Sequence, residues 1–292
     1  MARRRSDIVV GVILIVLLVF VVWTAFSFFQ PSGERLFVEG SGDVGVIRVD
    51  GMITEARPFL DRLQQYVDRK DIKAIVIRVE SPGGIVAASQ EMYNGVRRAR
   101  ESEKPVIISM GSLAASGAYY LSLGADSILA NPGTLTGSIG VLMDFPQTTK
   151  LMDKLGITIH SVTSGPFKDA GSPYSEWDEQ TQQYYQDLVA NTYQQFVAVV
   201  SAERHLSADS VRALADGRVY TGQQAVSNGL IDGLGDMHDA VQLAARMAGI
   251  SGKPTLVEPP RRHLRLWDLL FGDAEQVAGR LQPTPRLEYR FP

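Results

Sequence analysis

Cysteine is absent from the 292-residue chain, and histidine is scarce, at four residues. The lack of cysteine excludes disulfides, a thiol nucleophile and cysteine-bound metal. The histidines form neither an HExxH motif nor a close pair, which argues against a zinc hydrolase. The chain also has no excess of basic residues. Its net charge of −3 provides no positive electrostatic field of the kind that attracts nucleic acid. We therefore expect no metal, no cofactor and no nucleic-acid partner.

The first thirty residues differ in kind from the rest of the chain. Three arginines at 3–5 precede an uncharged apolar run over residues 8–29. As a helix this run would rise about 33 Å, enough to cross a hydrocarbon core of roughly 30 Å. A cleaved signal peptide is the alternative, but its apolar region is usually shorter and no clean A-x-A site follows. We predict a retained transmembrane anchor, with residues 1–7 in the cytoplasm and everything after residue 29 outside it.

The remaining chain divides into a linker, a globular part and a tail. Pro, Gly and Ser mark a linker at 30–43, after which strand-like and helix-like segments alternate over 44–253. This alternation predicts an α/β domain with a mainly parallel sheet, whose sites lie in loops at the carboxyl ends of strands. From residue 254 to 292 the composition shifts to Pro and Arg, and the amphipathic stretch LRLWDLLF (264–271) interrupts it. Disorder and a docking segment are both open for this tail.

Two glycine-containing loops follow buried-strand candidates. The first is SPGG, which ends in Gly83 and Gly84, and the second is GSLAASG, in which Ser116 precedes Gly117. Ser116 is a candidate nucleophile at the start of a helix. The backbone N–H groups of Gly117 and of Gly84 or Gly83 could hold the oxyanion of a tetrahedral acyl intermediate. Either loop alone is more simply a turn.

A serine nucleophile needs a base. His160 lies in a strand-like segment without an obvious carboxylate partner, which favours a structural role. Lys168, in the loop SGPFKDAGSPYS, is the stronger candidate, although a solvated lysine is the simpler explanation. As a base it must be neutral, which burial can achieve, and Asp169 must point away from it. Ser138, in the turn of TLTGSIGVL, could orient the lysine towards Ser116.

Four linked motifs point to a known family. SPGG, GSLAASGAYYLSLGADSILANPGTLTGSIGV, GPFKDAGSP and GRVYTGQQAVSNGLIDGLG occur in this order within residues 44–250. Together they resemble the signal peptide peptidase A family in its short, single-domain bacterial form. The resemblance implies a Clp protease/crotonase-like fold of repeated ββα units and a Ser/Lys dyad. It assigns roles to these residues: nucleophile Ser116, general base Lys168, lysine-orienting Ser138, and oxyanion donors Gly84 and Gly117, with Gly83 as a further candidate.

The resemblance also implies a location, an assembly and a substrate. It predicts a homo-oligomeric ring or dome on the plasma (inner) membrane, with the catalytic domain outside the cytoplasm and the anchor at 8–29 in the bilayer. Serine and lysine could then come from adjacent protomers. The leading hypothesis is a serine endopeptidase that degrades cleaved signal peptides and other hydrophobic peptides. A stomatin-associated protease cutting one membrane protein, crotonase-type acyl-CoA chemistry and a non-enzymatic scaffold stay open, and the paired Ser116 and Lys168 argue against the scaffold.

Overall fold

The structure, a computed structural model, describes residues 41–258 and 288–291. The predicted anchor at 8–29 and the amphipathic stretch at 264–271 lie outside these residues. Within the described ranges, no helix is both long enough and apolar enough to cross a membrane.

The described residues form a mainly parallel α/β sheet of eight strands in the order β7-β6-β4-β2-β1-β9, with β5 branching from β4 and β8 pairing with β5. Two further strands, β3 and β10, pair with each other. The strands are β1 (Val44–Asp50), β2 (Ala74–Ser81), β3 (Gly83–Ile85), β4 (Val106–Ala115), β5 (Ser127–Ala130), β6 (Leu135–Gly137), β7 (Val219–Thr221), β8 (Gly233–Leu234), β9 (Leu256–Val257) and β10 (Glu288–Arg290). The predicted α/β class and parallel sheet are confirmed, and they agree with a Clp protease/crotonase-like fold.

Strand β4 organises the sheet because it has three neighbours. It pairs along one side with β2, and along the other with β5 near its start and with β6 near its end, always in parallel. A register shift after Val79 brings Ser81 opposite Ala114, near the ends of β2 and β4. Since the carboxyl ends of parallel strands meet at one edge, the loops after β2 and β4 come together there.

Helices cover the sheet and bury its apolar residues. They are α1 (Arg57–Asp68), α2 (Val86–Glu101), α3 (Gly117–Ser122), α4 (Thr149–Leu155), α5 (Glu179–Arg204), α6 (Ala208–Leu214), α7 (Gly222–Ser227) and α8 (Met237–Met247). One face of α8, with Ala240, Val241 and Ala244, packs on Val76 and Ile107 of the sheet. Helical cover explains why the central strands are continuous apolar runs rather than alternating ones.

Local expectations from the sequence were met in some segments and not in others. The predicted helix near Ser116 begins at Gly117. The predicted strand at His160 is wrong, because residues 157–163 form no strand. The apolar Ile157 and Ile159 of that segment are exposed, so their alternation buries no face.

Two short strands come from the segment that begins at residue 254, where the composition shifts. Leu256 and Val257 pair in parallel with the start of β1. Glu288, Tyr289 and Arg290 pair in antiparallel fashion with Ile85, Gly84 and Gly83 of β3, respectively. Strand β10 therefore lies directly against the second half of the SPGG motif.

Candidate active site

Ser116 occupies the turn between β4 and α3 in an unusual conformation. Its side chain is buried, and its backbone angles are φ 54° and ψ −115°. Its N–H donates to the carbonyl of Gly137 at 2.7 Å, which fixes the turn. Non-glycine residues rarely adopt such a φ, and the cost of about 1–3 kcal/mol is typical of functional positions. A serine on a sharp strand-to-helix turn is also how α/β-hydrolases present a nucleophile.

The glycines of the two predicted loops converge beside Ser116. A Cβ built on Gly83 would lie 2.6 Å from the amide nitrogen of Gly117, and one built on Gly117 would lie 3.2 Å from the amide nitrogen of Gly84. Gly83 also has φ +96°, which side chains disfavour. A peptide carbonyl, that of Tyr289, reaches both loops, at 2.2 Å and 3.1 Å from the same two Cβ positions. The main-chain carbonyl of Tyr289 therefore lies close to the backbone of both Gly83 and Gly117.

The SPGG loop is held in place by the turn that follows β1. Ile53 donates its N–H to the carbonyl of Gly83 and accepts the N–H of Ile85, both at 2.8 Å. A Cβ on Gly84 would come within 2.0 Å of the Ile53 carbonyl oxygen, so only glycine fits this contact. Ser89 packs against Gly117, because its Oγ would lie 2.4 Å from a Cβ built on Gly117. Neither Ile53 nor Ser89 belongs to a recognisable sequence motif, so neither was predicted to lie at this site.

Ser138 lies next to Ser116 through the pairing of β4 with β6. Ala115 is opposite Gly137 in the register, so the two serines are the next residues of adjacent strands. Ser138 is buried as well, and its φ of 51° is also positive. Its N–H donates to the carbonyl of Arg218 at 2.9 Å. The structure thus brings together two buried serines that the sequence separates by a helix and two strands.

Lys168 is not brought to this site by the chain itself. It is exposed, in a loop where its N–H donates to the carbonyl of Gly165 at 3.2 Å. Within residues 41–258 and 288–291, its ammonium group makes no hydrogen bond or ion pair, with Asp169 or with either serine. The predicted pairing of Lys168 with Ser116 stays a prediction.

Three aromatic rings, on α3, α5 and β10, are buried against one another. The rings of Tyr120 and Tyr289 stack with centroids 5.2 Å apart, and Phe196 lies 4.6 Å from Tyr289. Burial raises the pKa of the Tyr120 hydroxyl and that of the Tyr289 hydroxyl. Both shifts reflect the cost of ionising a hydroxyl that is removed from water.

A cavity of about 720 Å³ has Ser138 among its lining residues. Its walls are largely apolar and include Leu142, Phe145, Trp177 and Val189. A cavity of this size and lining suits an apolar ligand or peptide.

A buried serine on a strained strand-to-helix turn, beside converging glycine amides in a mainly parallel α/β fold, defines the class of serine hydrolases. Comparison with known proteins specifies the class further. The profile of peptidase family S49 matches residues 98–251. The chain belongs to this family, and it is a serine peptidase.

Individual relatives agree with the family. The chain is 40% identical over 205 residues to a candidate protease of Synechocystis sp., an alignment that covers 70% of this chain and 74% of the relative. It is 38% identical over 223 residues to a candidate signal peptide peptidase SppA of Enterococcus faecium, covering 71% and 65%. It is 37% identical over 210 residues to Protease 4 of Salmonella typhi, covering 72% of this chain and 32% of that protein. The chain thus spans about a third of Protease 4.

Proposed function

We propose that this protein is a membrane-anchored serine endopeptidase with a Ser116/Lys168 dyad, which degrades cleaved signal peptides and other hydrophobic peptides. The observation that carries the proposal is the peptide carbonyl lying between Gly83 and Gly117, beside a buried and strained Ser116. A carbonyl in this position is the group that a serine nucleophile attacks.

The proposed reaction has two halves. A neutral Lys168 removes the hydroxyl proton of Ser116. The Oγ of Ser116 then attacks the substrate carbonyl. The N–H groups of Gly117 and Gly84 stabilise the oxyanion, and loss of one such donor typically costs about 3 kcal/mol of barrier. The lysine then protonates the leaving amine and, in the second half, activates the water that hydrolyses the acyl-enzyme. Ser138 accepts or donates a hydrogen bond that holds the lysine amine in line.

We infer that Lys168 serves the Ser116 of an adjacent protomer in a homo-oligomeric ring. Support comes from its exposure and from its lack of a side-chain partner within the described part of the chain. Exposed apolar residues on the same stretch, including Leu155, Ile157 and Phe167, are suited to burial against a second copy.

The substrate and location rest on separate support. The names of two relatives refer to signal peptide peptidase or protease activity, and the apolar cavity beside Ser138 suits hydrophobic peptides. The uncharged run at 8–29 supports a single-pass anchor in the plasma (inner) membrane, with the catalytic domain outside the cytoplasm.

A fluorophosphonate probe tests the nucleophile and the base. We expect one adduct, on Ser116, and loss of labelling and of peptide cleavage in Ser116→Ala. Lys168→Ala should lose cleavage while Lys154→Ala, at another exposed lysine, retains it. An adduct elsewhere, or full activity in Lys168→Ala, would contradict the dyad.

Mixing the two inactive variants tests the pairing between protomers. If serine and lysine come from different copies, co-assembled Ser116→Ala and Lys168→Ala chains contain some intact sites, about a quarter for random mixing of equal amounts in a ring. If both come from one copy, every site lacks a residue. Recovery of cleavage on mixing supports the shared site, and its absence in verified mixed oligomers refutes it.

A further inference from the structure

The loop that carries Lys168 belongs to a part of the chain with almost no buried residues. Between residues 140 and 191, all of them described, Gly171 alone is buried. Helix α5 shows the same contrast, since its first buried residue is Thr192. The core of the domain therefore does not hold this segment, and its conformation depends on the contacts around Gly171.

Gly171 lies against two aromatic side chains. A Cβ built on it would lie 2.6 Å from Cε1 of Phe145 and 2.8 Å from the hydroxyl oxygen of Tyr185. Its φ of +76° is also one that side chains disfavour. The Phe145 ring is itself held, because its centroid lies 4.4 Å from that of Tyr185 and 4.7 Å from that of Trp177. We call Phe145, Trp177 and Tyr185 the aromatic clamp.

The aromatic clamp is also hydrogen-bonded to the main chain of the loop. The Tyr185 hydroxyl donates to the carbonyl of Ala170 at 2.7 Å. Burial raises the pKa of this hydroxyl, so it stays protonated and remains a donor. The N–H of Ala170 donates in turn to Phe167 at 3.4 Å, and that of Lys168 donates to Gly165 at 3.2 Å. The bond from Tyr185 therefore fixes the main chain two residues after Lys168.

A ring contact fixes the residue before Lys168. The Phe167 ring stacks on that of Tyr184 with centroids 4.9 Å apart and an interplanar angle of 29°. Since Tyr184 and Tyr185 are consecutive on α5, one turn of this helix contacts the loop on both sides of the lysine. The Lys168 side chain itself is exposed. Holding a catalytic group in place before the reaction lowers the entropic part of the barrier.

We propose that the aromatic clamp positions Lys168 for catalysis by holding its loop at Ala170 and Gly171, and that Tyr185 is the central positioning residue. The inference rests on the proposed role of Lys168 as the general base. All three side chains of the clamp also line the cavity that includes Ser138. A test must therefore remove the hydrogen bond to Ala170 and keep the ring.

A double-mutant cycle tests whether Tyr185 acts through Lys168. The rate at which a fluorophosphonate labels Ser116 is measured in the full chain, in Tyr185→Phe, in Lys168→Ala and in the double variant. We expect Tyr185→Phe to lower this rate, and kcat for peptide cleavage, about tenfold, with KM changed by less than about twofold. In the Lys168→Ala background it should cause no further loss.

Tyr174→Phe is the matched control for this cycle. Tyr174 is exposed and lies on the same loop, and within the described residues its hydroxyl makes no hydrogen bond, so this variant should label and cleave like the unaltered chain. Equal losses from Tyr185→Phe with and without Lys168 would overturn the proposal. Unaltered labelling and cleavage in Tyr185→Phe would overturn it as well.

Hydrogen exchange measures the loop itself, independently of catalysis. The amides of residues 168–172 should exchange about fivefold faster or more in Tyr185→Phe, and at the unaltered rate in Tyr174→Phe. Unchanged exchange in Tyr185→Phe would show that the hydroxyl does not hold the loop. Faster exchange without slower labelling would show that the position of Lys168 does not depend on it.

Two glycine variants apply a larger change at the same contact. Gly171→Ala forces the loop away from Phe145 and Tyr185, and a displacement of about 1 Å should lower kcat on the order of 100-fold. Gly156→Ala is the control, since Gly156 has φ +67° but no atom within 4 Å of its Cβ position. Equal kcat in the two variants, both shown by urea unfolding to be folded, would contradict the clamp.

The outcomes separate this inference from the proposed mechanism. If Lys168→Ala labels and cleaves at the full rate, the Ser116/Lys168 dyad fails, and hydrogen exchange still shows whether the clamp holds the loop. If Lys168→Ala is inactive while Tyr185→Phe and Gly171→Ala are fully active, the dyad stands and the positioning role fails.

Discussion

Replacing Gly83 with alanine places a methyl group between the proposed oxyanion donors. The new Cβ would lie 2.2 Å from the carbonyl oxygen of Tyr289 and 2.6 Å from the amide nitrogen of Gly117, both main-chain atoms. Neither atom can move as a flexible side chain could. The substrate carbonyl must then shift, and we expect kcat to fall about 100-fold or more, as for loss of one oxyanion donor at about 3 kcal/mol.

The same substitution also costs stability, and a control separates its two causes. At φ +96°, an alanine is strained by about 1–2 kcal/mol, and overpacking adds about 1–3 kcal/mol. Gly252→Ala is the matched control, since Gly252 has φ +86° but no atom within 4 Å of its Cβ position. Urea unfolding should show only the strain cost for Gly252→Ala, with full cleavage activity.

One outcome would refute the reasoning about Gly83. If Gly83→Ala folds with the stability of Gly252→Ala and cleaves peptide within a few-fold of the unaltered chain, no substrate carbonyl passes between Gly83 and Gly117. The oxyanion assignment for these loops would then be wrong.

Two further predictions concern stability. Burial raises the pKa of Tyr66 to about 12, and its hydroxyl donates to Val46 and Val257 at 3.2 Å and 3.0 Å. In the unfolded chain this hydroxyl ionises near pH 10. Its contribution to the free energy of unfolding is therefore complete below pH 10, and about 3 kcal/mol of it is lost as the pH rises to 12. Urea unfolding across this range should show the loss, and Tyr66→Phe should remove that part of the pH dependence; an identical slope in the variant would contradict it. At the start of α8, the side chains of Asp236 and Asp239 each accept the other residue's main-chain N–H, at 3.0 Å. Asp236→Ala should therefore lower the free energy of unfolding by about 1 kcal/mol in a thermal unfolding experiment, and Asp236→Asn should lower it less. Equal losses of stability in the two variants would exclude a capping role.

Much of the framework follows from local sequence. The apolar runs of β2 and β4 predict buried parallel strands because both faces of such strands are covered. The loops after them fall at one sheet edge as a consequence of parallel topology, so the sequence alone places Gly83, Gly84 and Ser116 in one candidate site. The helix after Ser116 was likewise predictable from composition. Each of these inferences needs only nearest neighbours along the chain.

Other features depend on long-range contacts. His160 lies among alternating apolar residues, a pattern that predicts a strand. The segment pairs with no other strand among the described residues, so that prediction was wrong. The alternation in LEYRF is typical of a strand, but nothing in it indicates that its partner is β3. The predicted pairing of Lys168 with Ser116 also joins residues far apart in sequence, and within the described residues the Lys168 side chain makes no hydrogen bond or ion pair.

The sequence by itself determined the α/β framework, the peptidase family and the serine at the strand-to-helix turn. The periodicity of apolar residues, continuous apolar runs and small residues at turns can all be recognised in short stretches of the sequence. Only the tertiary structure decided that Gly84 lies next to Gly117, that Ser138 lies beside Ser116, and that the Tyr289 ring packs against Phe196 of α5. Those contacts join residues far apart in sequence, and their formation depends on the packing free energy of the whole domain rather than on the preference of any one segment.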